Sequence, residues 1–411
     1  MASIFRACID NHSLSGLFNR LYKVSKTANV LQIARISGKV NRVKRPRPPP
    51  FPYNEKEYTA LSFLGYTIER YDENSKIIVV EGPIAAGKDK FARELAKELE
   101  MGYMPSPSFD LLYKNSYGYD IRSLNPKLPE KFQACDIETF LNNPKHDGIP
   151  AFKISHYLLK LDAYLESLLH VLSTGEGVVL NRSLYSDFVF MNAMYNAGYM
   201  NRRCRHFYQE VIKATMKYCK RPHLVIYLDV PVNVVKERIQ KRGIPYEVNS
   251  KVLTTKYLTD IETAYKEEYL PQISDHAYIL MYDWANGGNI EDVVDDIEKI
   301  DLEFREDNPN KLHDWVFLNL SELDSTRMMY SHRNRPFIIA ESQIPFYEVS
   351  EMYHFGEDAV KLDELQLLTP GEEFSEGYNT AMGDKVFWKI KHERSPTIPF
   401  VIPYKELVAT K

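Results

Sequence analysis

The chain has 411 residues, 44 % of them hydrophobic and 26 % charged. These ordinary globular proportions exclude wholesale disorder, a collagen-like repeat and a coiled-coil rod, and leave one large α/β domain with appendages, or two domains. The net charge of −4 hides an asymmetry: residues 1–52 hold ten of the 52 Lys and Arg but only Asp10 of the 56 Asp and Glu, which leaves 42 basic and 55 acidic residues in the body. An acidic body of that size argues against nucleic-acid binding. No stretch approaches ~18 consecutive apolar residues, so no transmembrane helix is expected.

At the amino terminus, Leu14, Leu17, Phe18 and Leu21 recur at helical spacing among Ser3, Ser13, Ser15, Ser25, Lys23 and Lys26. A basic amphipathic helix rich in serine and poor in acids predicts a mitochondrial transit peptide over residues 1–36. Beyond it, Lys44-Arg45-Pro46-Arg47-Pro48-Pro49-Pro50-Phe51-Pro52 must run extended, because proline fixes φ and disfavours helix at the residue before it. Residues 37–75 are therefore predicted to be a basic, proline-rich strap. Cys8, Cys135, Cys204 and Cys219 have neither the spacing of a zinc site nor the density of a disulfide framework, so a reduced compartment and no zinc are expected.

The chemistry begins at residue 76. Ile77-Ile78-Val79-Val80 is a β-branched run of the kind buried in parallel sheets, and it leads into Gly82-Pro83-Ile84-Ala85-Ala86-Gly87-Lys88-Asp89. A helix follows, with Phe91, Leu95 and Leu99 on one face. Strand, Gly-x4-Gly-Lys and helix in this order predict a phosphate-binding loop: the glycines turn backbone N–H groups around an anion, the helix amino terminus adds positive potential, and Lys88 reaches the outer phosphates. The next position, where such loops place Ser or Thr on Mg²⁺, is Asp89. A carboxylate there sets a like charge beside the phosphates, so weakened metal-nucleotide handling is expected.

A long helix is predicted near 152–172 from Ile154, Leu158, Leu161, Leu165, Leu168, Leu169 and Leu172, ended by Gly175 and Gly177. Val178-Val179-Leu180 reads as a second buried strand opening onto Asn181-Arg182-Ser183. His223 to Asp229 reads as a third, followed by a helix carrying Arg238 and Arg242. Strands alternating with helices predict right-handed crossovers and a doubly wound parallel sheet, with ligands outside the carboxyl ends of the strands. From about residue 305 this alternation fades into an aromatic-rich, largely irregular stretch, and such a stretch wraps its own domain or docks a partner more often than it builds a site.

The Gly82–Lys88 loop, Asn181 to Asp187, Tyr227-Leu228-Asp229-Val230-Pro231 and Arg238 to Arg242 resemble the phosphate loop, acidic-Arg-Ser motif, late strand and arginine-bearing lid of the deoxynucleoside kinases. Gly175 to Leu180, His223 to Tyr227, and Gly377-Tyr378-Asn379-Thr380 with Gly383-Asp384-Lys385 resemble more closely the kinase-like accessory subunits of mitochondrial respiratory complex I. The resemblance implies a nucleoside-kinase P-loop domain over residues 76–304 and a docking extension over 305–411. It also implies nucleotide binding by Gly82, Gly87, Lys88, Arg182, Arg238 and Arg242. The kinases carry a catalytic carboxylate after the second strand, where this chain has Met104-Pro105-Ser106-Pro107; their acidic-Arg-Ser motif is here headed by Asn181; and the glutamine with which they recognise the base is missing from the 152–172 helix. The expectation is a non-catalytic subunit, peripheral on the matrix side of the inner membrane, partnered by other complex I subunits. It would retain a pocket for a purine nucleotide of unknown identity, FAD included, and bind no metal. An active mitochondrial deoxynucleoside kinase and a stand-alone nucleotide sensor remain the alternatives.

Overall fold

The computed structural model describes residues 35–42, 46–56, 58, 66–331, 349 and 357–385. The predicted transit helix lies outside them, as do residues 332–348, 350–356 and 386–411 of the final stretch. Five strands carry the architecture: β1 (Ile77–Glu81), β2 (Gly102–Met104), β3 (Val178–Asn181), β4 (Leu224–Asp229) and β5 (Tyr278–Asp283). They pair in the order β2-β3-β1-β4-β5, every pair parallel. All five residues of β1 are buried, as expected of a central strand covered on both faces.

The helices that position the site are α1 (Lys88–Glu98), α2 (Ile149–Thr174), α3 (Asp187–Asn196), α4 (Arg202–Met216), α5 (Val232–Arg242), α6 (Thr255–Thr263), α7 (Ile290–Lys299), α8 (Leu320–Tyr330) and α9 (Glu357–Leu367). The first faces the sheet with Phe91, Ala92, Leu95 and Ala96. The second extends the predicted 152–172 helix by a turn at its start, and Gly175 ends it in the left-handed conformation (φ 68°), the usual task of glycine after a helix. A π-turn, Ala264–Tyr269, continues α6.

The strap is sewn to the body. Ile36, the last residue of the predicted transit segment, is buried, and in the strap itself the Ser37 and Gly38 N–H groups donate to Asn74 Oδ1 (2.9 Å) and Glu298 Oε1 (2.6 Å). Arg42 reaches Asp72 (2.8 Å) and the Glu100 carbonyl (3.1 Å), and Arg47 also pairs with Asp72.

At the other end, past the predicted boundary at residue 304, residues of the 312–331 segment pack on the main core. Trp315 lies against His223 with ring centres 4.1 Å apart, Asp314 pairs with Arg221 (2.7 Å), and the buried Arg327 donates to the Leu172 carbonyl (2.7 Å) and the Tyr71 hydroxyl (2.9 Å). Pairing a buried cation in this way is what keeps its desolvation tolerable. Further on, Leu362 and Leu365 of α9 pack on Leu124, Leu128 and Phe132. Tyr117 donates to Asp384 (2.5 Å), and Asn379 donates to the Gly371 (2.9 Å) and Phe374 (2.8 Å) carbonyls. The Gly377–Lys385 motif is thus a clasp that holds the extension against the 110–132 segment.

Candidate functional site

The strand-to-helix turn at the carboxyl end of β1 follows from its glycines. Gly82 adopts φ +142°, and a Cβ there would lie 2.6 Å from the Leu228 carbonyl oxygen, so no other residue fits beside β4. Gly87, at φ +85°, starts α1. Lys88, the first residue of that helix, is buried, and its Nζ donates to the Pro83 carbonyl (2.5 Å). Its pKa is held well below the ordinary lysine value, chiefly by burial and then by Arg182, Arg242 and Lys160, against which only Glu81 pulls the other way. The loop is therefore ringed by cations, an environment that an anion would relieve.

Arg182 follows β3 with a positive φ of 69°, uncommon for a residue with a side chain, and is locked by a buried network. Its guanidinium donates to Tyr265 Oη (2.8 Å), and Tyr265 donates in turn to Glu81 Oε2 (3.0 Å). The other Glu81 oxygen accepts from the Ser183 N–H (2.9 Å) and hydroxyl (3.0 Å). The Phe190 ring lies under the guanidinium, 4.5 Å away. The π-turn is what brings Tyr265 inward, a common use of this irregularity.

Arg238 and Arg242 line a separate cleft of about 420 Å³ with Ala85, Gly87, Trp284 and Gly288. Arg238 is committed to carbonyls: Trp284 at 2.6 Å, Ala285 at 3.0 Å and Ala86 at 3.3 Å. It pins the loop to the segment after β5, so its place in the site is structural as well as lining. Arg242 pairs with Glu247 at the mouth. The indole of Trp284 meets Phe91 edge-on at 5.1 Å. The structure thus gathers Gly82, Gly87, Lys88 and Arg182 around one point and sets Arg238 and Arg242 beside it, on the β4–β5 side. Neither Trp284 nor the Glu81–Tyr265 brace stood out in the sequence; a glutamate closing an otherwise apolar buried strand was the available signal for the brace.

Residues 78–318 match the deoxynucleoside kinase family. The chain belongs to that family. Among its relatives, the mitochondrial NADH dehydrogenase [ubiquinone] 1 alpha subcomplex subunit 10 of Mus musculus is 36 % identical over 326 residues, 78 % of this chain and 86 % of that protein. The Rattus norvegicus protein of the same name is 36 % identical over 331 residues, 80 % and 88 % of the two chains. The solved structure of deoxyadenosine kinase from M. mycoides with bound dATP aligns with TM-score 0.41 and 19 % identity, covering 55 % of this chain and 100 % of that one.

Set against the deoxynucleoside kinase pattern, the carboxylates are missing or occupied. Ser106 is exposed on the segment after β2, and Asp110, next along the chain, is held by Arg122 (2.5 Å) and Lys114 (2.7 Å). Asn181 offers an amide whose Oδ1 is buried without a hydrogen-bond partner. Asp89 accepts from Arg93 (3.0 Å) and from the Tyr103 hydroxyl. Among the described residues, no group of His, Cys, Asp or Glu is arranged to hold a metal ion, and no helix is long and apolar enough to cross a membrane. Cys135, Cys204 and Cys219 are buried thiols. Burial pushes the pKa of Cys135 and of Cys219 up, so neither is a nucleophile at neutral pH.

Proposed function

We propose that this chain is a non-catalytic accessory subunit of mitochondrial respiratory complex I, peripheral on the matrix side of the inner membrane, which holds one purine nucleotide as a ligand that supports its fold and the assembly of the complex. The observation that carries this reading is the pairing of a cation-ringed phosphate cradle with occupied or absent catalytic carboxylates. Gly82, Gly87 and Lys88 wrap the phosphates, Arg182 offers a braced guanidinium, and Arg238 and Arg242 flank the base cleft. Where the kinases carry their base this chain has Ser106, and the next acid, Asp110, is held by Arg122 and Lys114. Phosphoryl transfer is mostly positioning and charge neutralisation, but loss of a general base alone costs ~10² to 10⁴ in rate, and the Asp89 and Asn181 changes add to that.

The 36 %-identical relatives, mitochondrial NADH dehydrogenase subunits of Mus musculus and Rattus norvegicus, support the assignment to that complex. Residues 1–36 supply the import signal in this reading, and the part of the extension beyond Ser331 supplies docking surface. Purified full chain incubated with Mg·ATP and each deoxynucleoside is expected to form no monophosphate above background. Turnover near the enzyme median of ~10 s⁻¹ would establish an active kinase instead.

A further inference from the structure

On the β4–β5 side of the loop lies the open cleft of about 420 Å³ that holds Trp284. On the β3 side, under Arg182, the space between α2 and α3 is filled with charge. Lys153 and Lys160, two turns apart on one face of α2, converge on Asp187, the first residue of α3. Lys153 Nζ lies 2.5 Å from Oδ2 and Lys160 Nζ 2.8 Å from Oδ1. Tyr208 of α4 donates to the same Oδ2 (2.6 Å). The three charged side chains are 1 %, 4 % and 0 % exposed. His156, half-buried between the two lysines in the sequence of α2, lies against Phe109 and Phe152, and desolvation followed by Lys160 and Lys153 holds its pKa well below the ordinary value.

We propose that this Lys153–Asp187–Lys160 cluster closes the β3-side compartment to a second substrate, so that the chain binds a single nucleotide whose base lies against Trp284. The inference rests on the proposed nucleotide-binding function and fixes which side of the loop the nucleotide uses. Phe190 joins the two regions: its ring lies 4.5 Å from Arg182 and 5.4 Å from Lys160, so the cluster begins where the phosphate site ends. An uncharged, flat base entering here would have to part ion pairs whose members are out of reach of water, and a buried charge stripped of its partner is strongly unfavourable. Two lysines against one aspartate also leave an excess positive charge beside Arg182 and Lys88, which attracts the phosphates of the one nucleotide from behind. The cluster therefore excludes a neutral acceptor and favours an anion with the same residues. It disables transfer independently of Ser106, because the acceptor has no place to stand.

The test uses a dinucleoside polyphosphate, adenosine joined through five phosphates to deoxythymidine, which spans both compartments if both are open. Linking two productive sites raises affinity by about 10²- to 10⁴-fold. Calorimetric titration of the full chain is expected to give one site for ATP and an affinity for the linked compound within about threefold of it, far below that gain. Gain of about 100-fold or more, or saturable deoxynucleoside binding to the ATP-loaded protein, would overturn the inference while leaving the nucleotide site standing. If neither ATP nor the linked compound binds, the nucleotide reading itself fails and takes the inference with it.

Lys153→Ala leaves the Lys160–Asp187 pair and opens space. The ratio of the two affinities is expected to rise about tenfold or more, and an unchanged ratio in a folded variant would contradict the assignment. ATP should quench tryptophan fluorescence in the native chain and not in Trp284→Phe; equal quenching in both would place the base elsewhere.

Discussion

The Tyr103 hydroxyl donates a hydrogen bond to the carboxylate of Asp89, joining β2 to the first turn of α1. Burial and the adjacent carboxylate push the Tyr103 hydroxyl up to about 12, so it remains a donor at every physiological pH. With Arg93 on its other side, Asp89 is an exposed carboxylate already engaged by two partners at the helix surface. ATP affinity is therefore expected to be the same, within about twofold, in Mg²⁺ and in EDTA, whereas Asp89→Ser should make it metal-dependent by about tenfold, or 1.4 kcal/mol. A native chain that binds ATP only with Mg²⁺ would contradict this account of Asp89.

Lys88 is the most direct handle on the loop. Charge-assisted hydrogen bonds contribute about 1.5–3 kcal/mol, so Lys88→Met should weaken ATP binding by about 10- to 150-fold and abolish the ligand-induced rise in melting temperature. The unliganded variant should melt no lower than the native chain, because the lysine it removes is desolvated among Arg182, Arg242 and Lys160. A large fall in the melting temperature of the free variant would show that Lys88 is part of the core rather than poised for an anion.

Two histidines, His223 buried and His156 half-buried, set the acid limit of the fold. His223 Nδ1 accepts from the Ile77 N–H at 3.0 Å, and burial followed by Lys76 holds its pKa well below the ordinary value. His156 is held down likewise, by burial and then by Lys160 and Lys153. Below about pH 6.5 the unfolded chain binds protons that the folded chain refuses, so stability falls with pH by up to about 1.4 kcal/mol per unit for each histidine. Asp187 does not disturb this window: burial alone would raise its pKa, but Lys153 and Lys160 bring it below the ordinary value of 3.8, and its stabilisation is lost only at lower pH. Urea unfolding between pH 7 and 5 should show the slope, and His156→Phe should reduce it. A stability flat over this range would contradict the assignment.

How much of this was legible follows from how each element buries its residues. β1, β3 and β4 announce themselves because central parallel strands are apolar on both faces, and the loop does so because its glycines carry positive φ. β5 does not: Tyr278–Asp283 lies at the sheet edge with mixed exposure and lacks the β-branched signature. The Lys153–Asp187–Lys160 cluster was hidden by the leucines of α2, although two lysines seven residues apart on an apolar face, with an acid in the motif after β3, were its trace. The role of Arg238 as a pin depends on the backbone after β5, which no local pattern could supply. The core roles of Trp315 and Arg327 were not legible, because Trp315 sits in a short turn with no period to read and the helix that carries Arg327 has no clear apolar stripe.

The boundary at residue 304 gives a prediction. A chain ending at Ser331 keeps Asp314, Trp315 and Arg327 and should fold and bind ATP, but should fail to enter complex I. A chain ending at residue 310 loses the Arg327 bonds to Leu172 and Tyr71 and the Trp315 packing on His223, and should not fold stably; contacts of this kind are each among the costlier to remove. Efficient incorporation of the Ser331 chain would refute a docking role for the remainder.

The most direct test of the central claim is native-gel separation of detergent-solubilised mitochondria, with this chain followed by mass spectrometry across the lane. The account predicts that its peptides co-migrate with intact complex I, and that the Lys88→Met chain still does so in greater proportion than the chain ending at Ser331. A pool found wholly at the mass of the free chain, at most 47.8 kDa, or its dimer, with none in the complex, would contradict it.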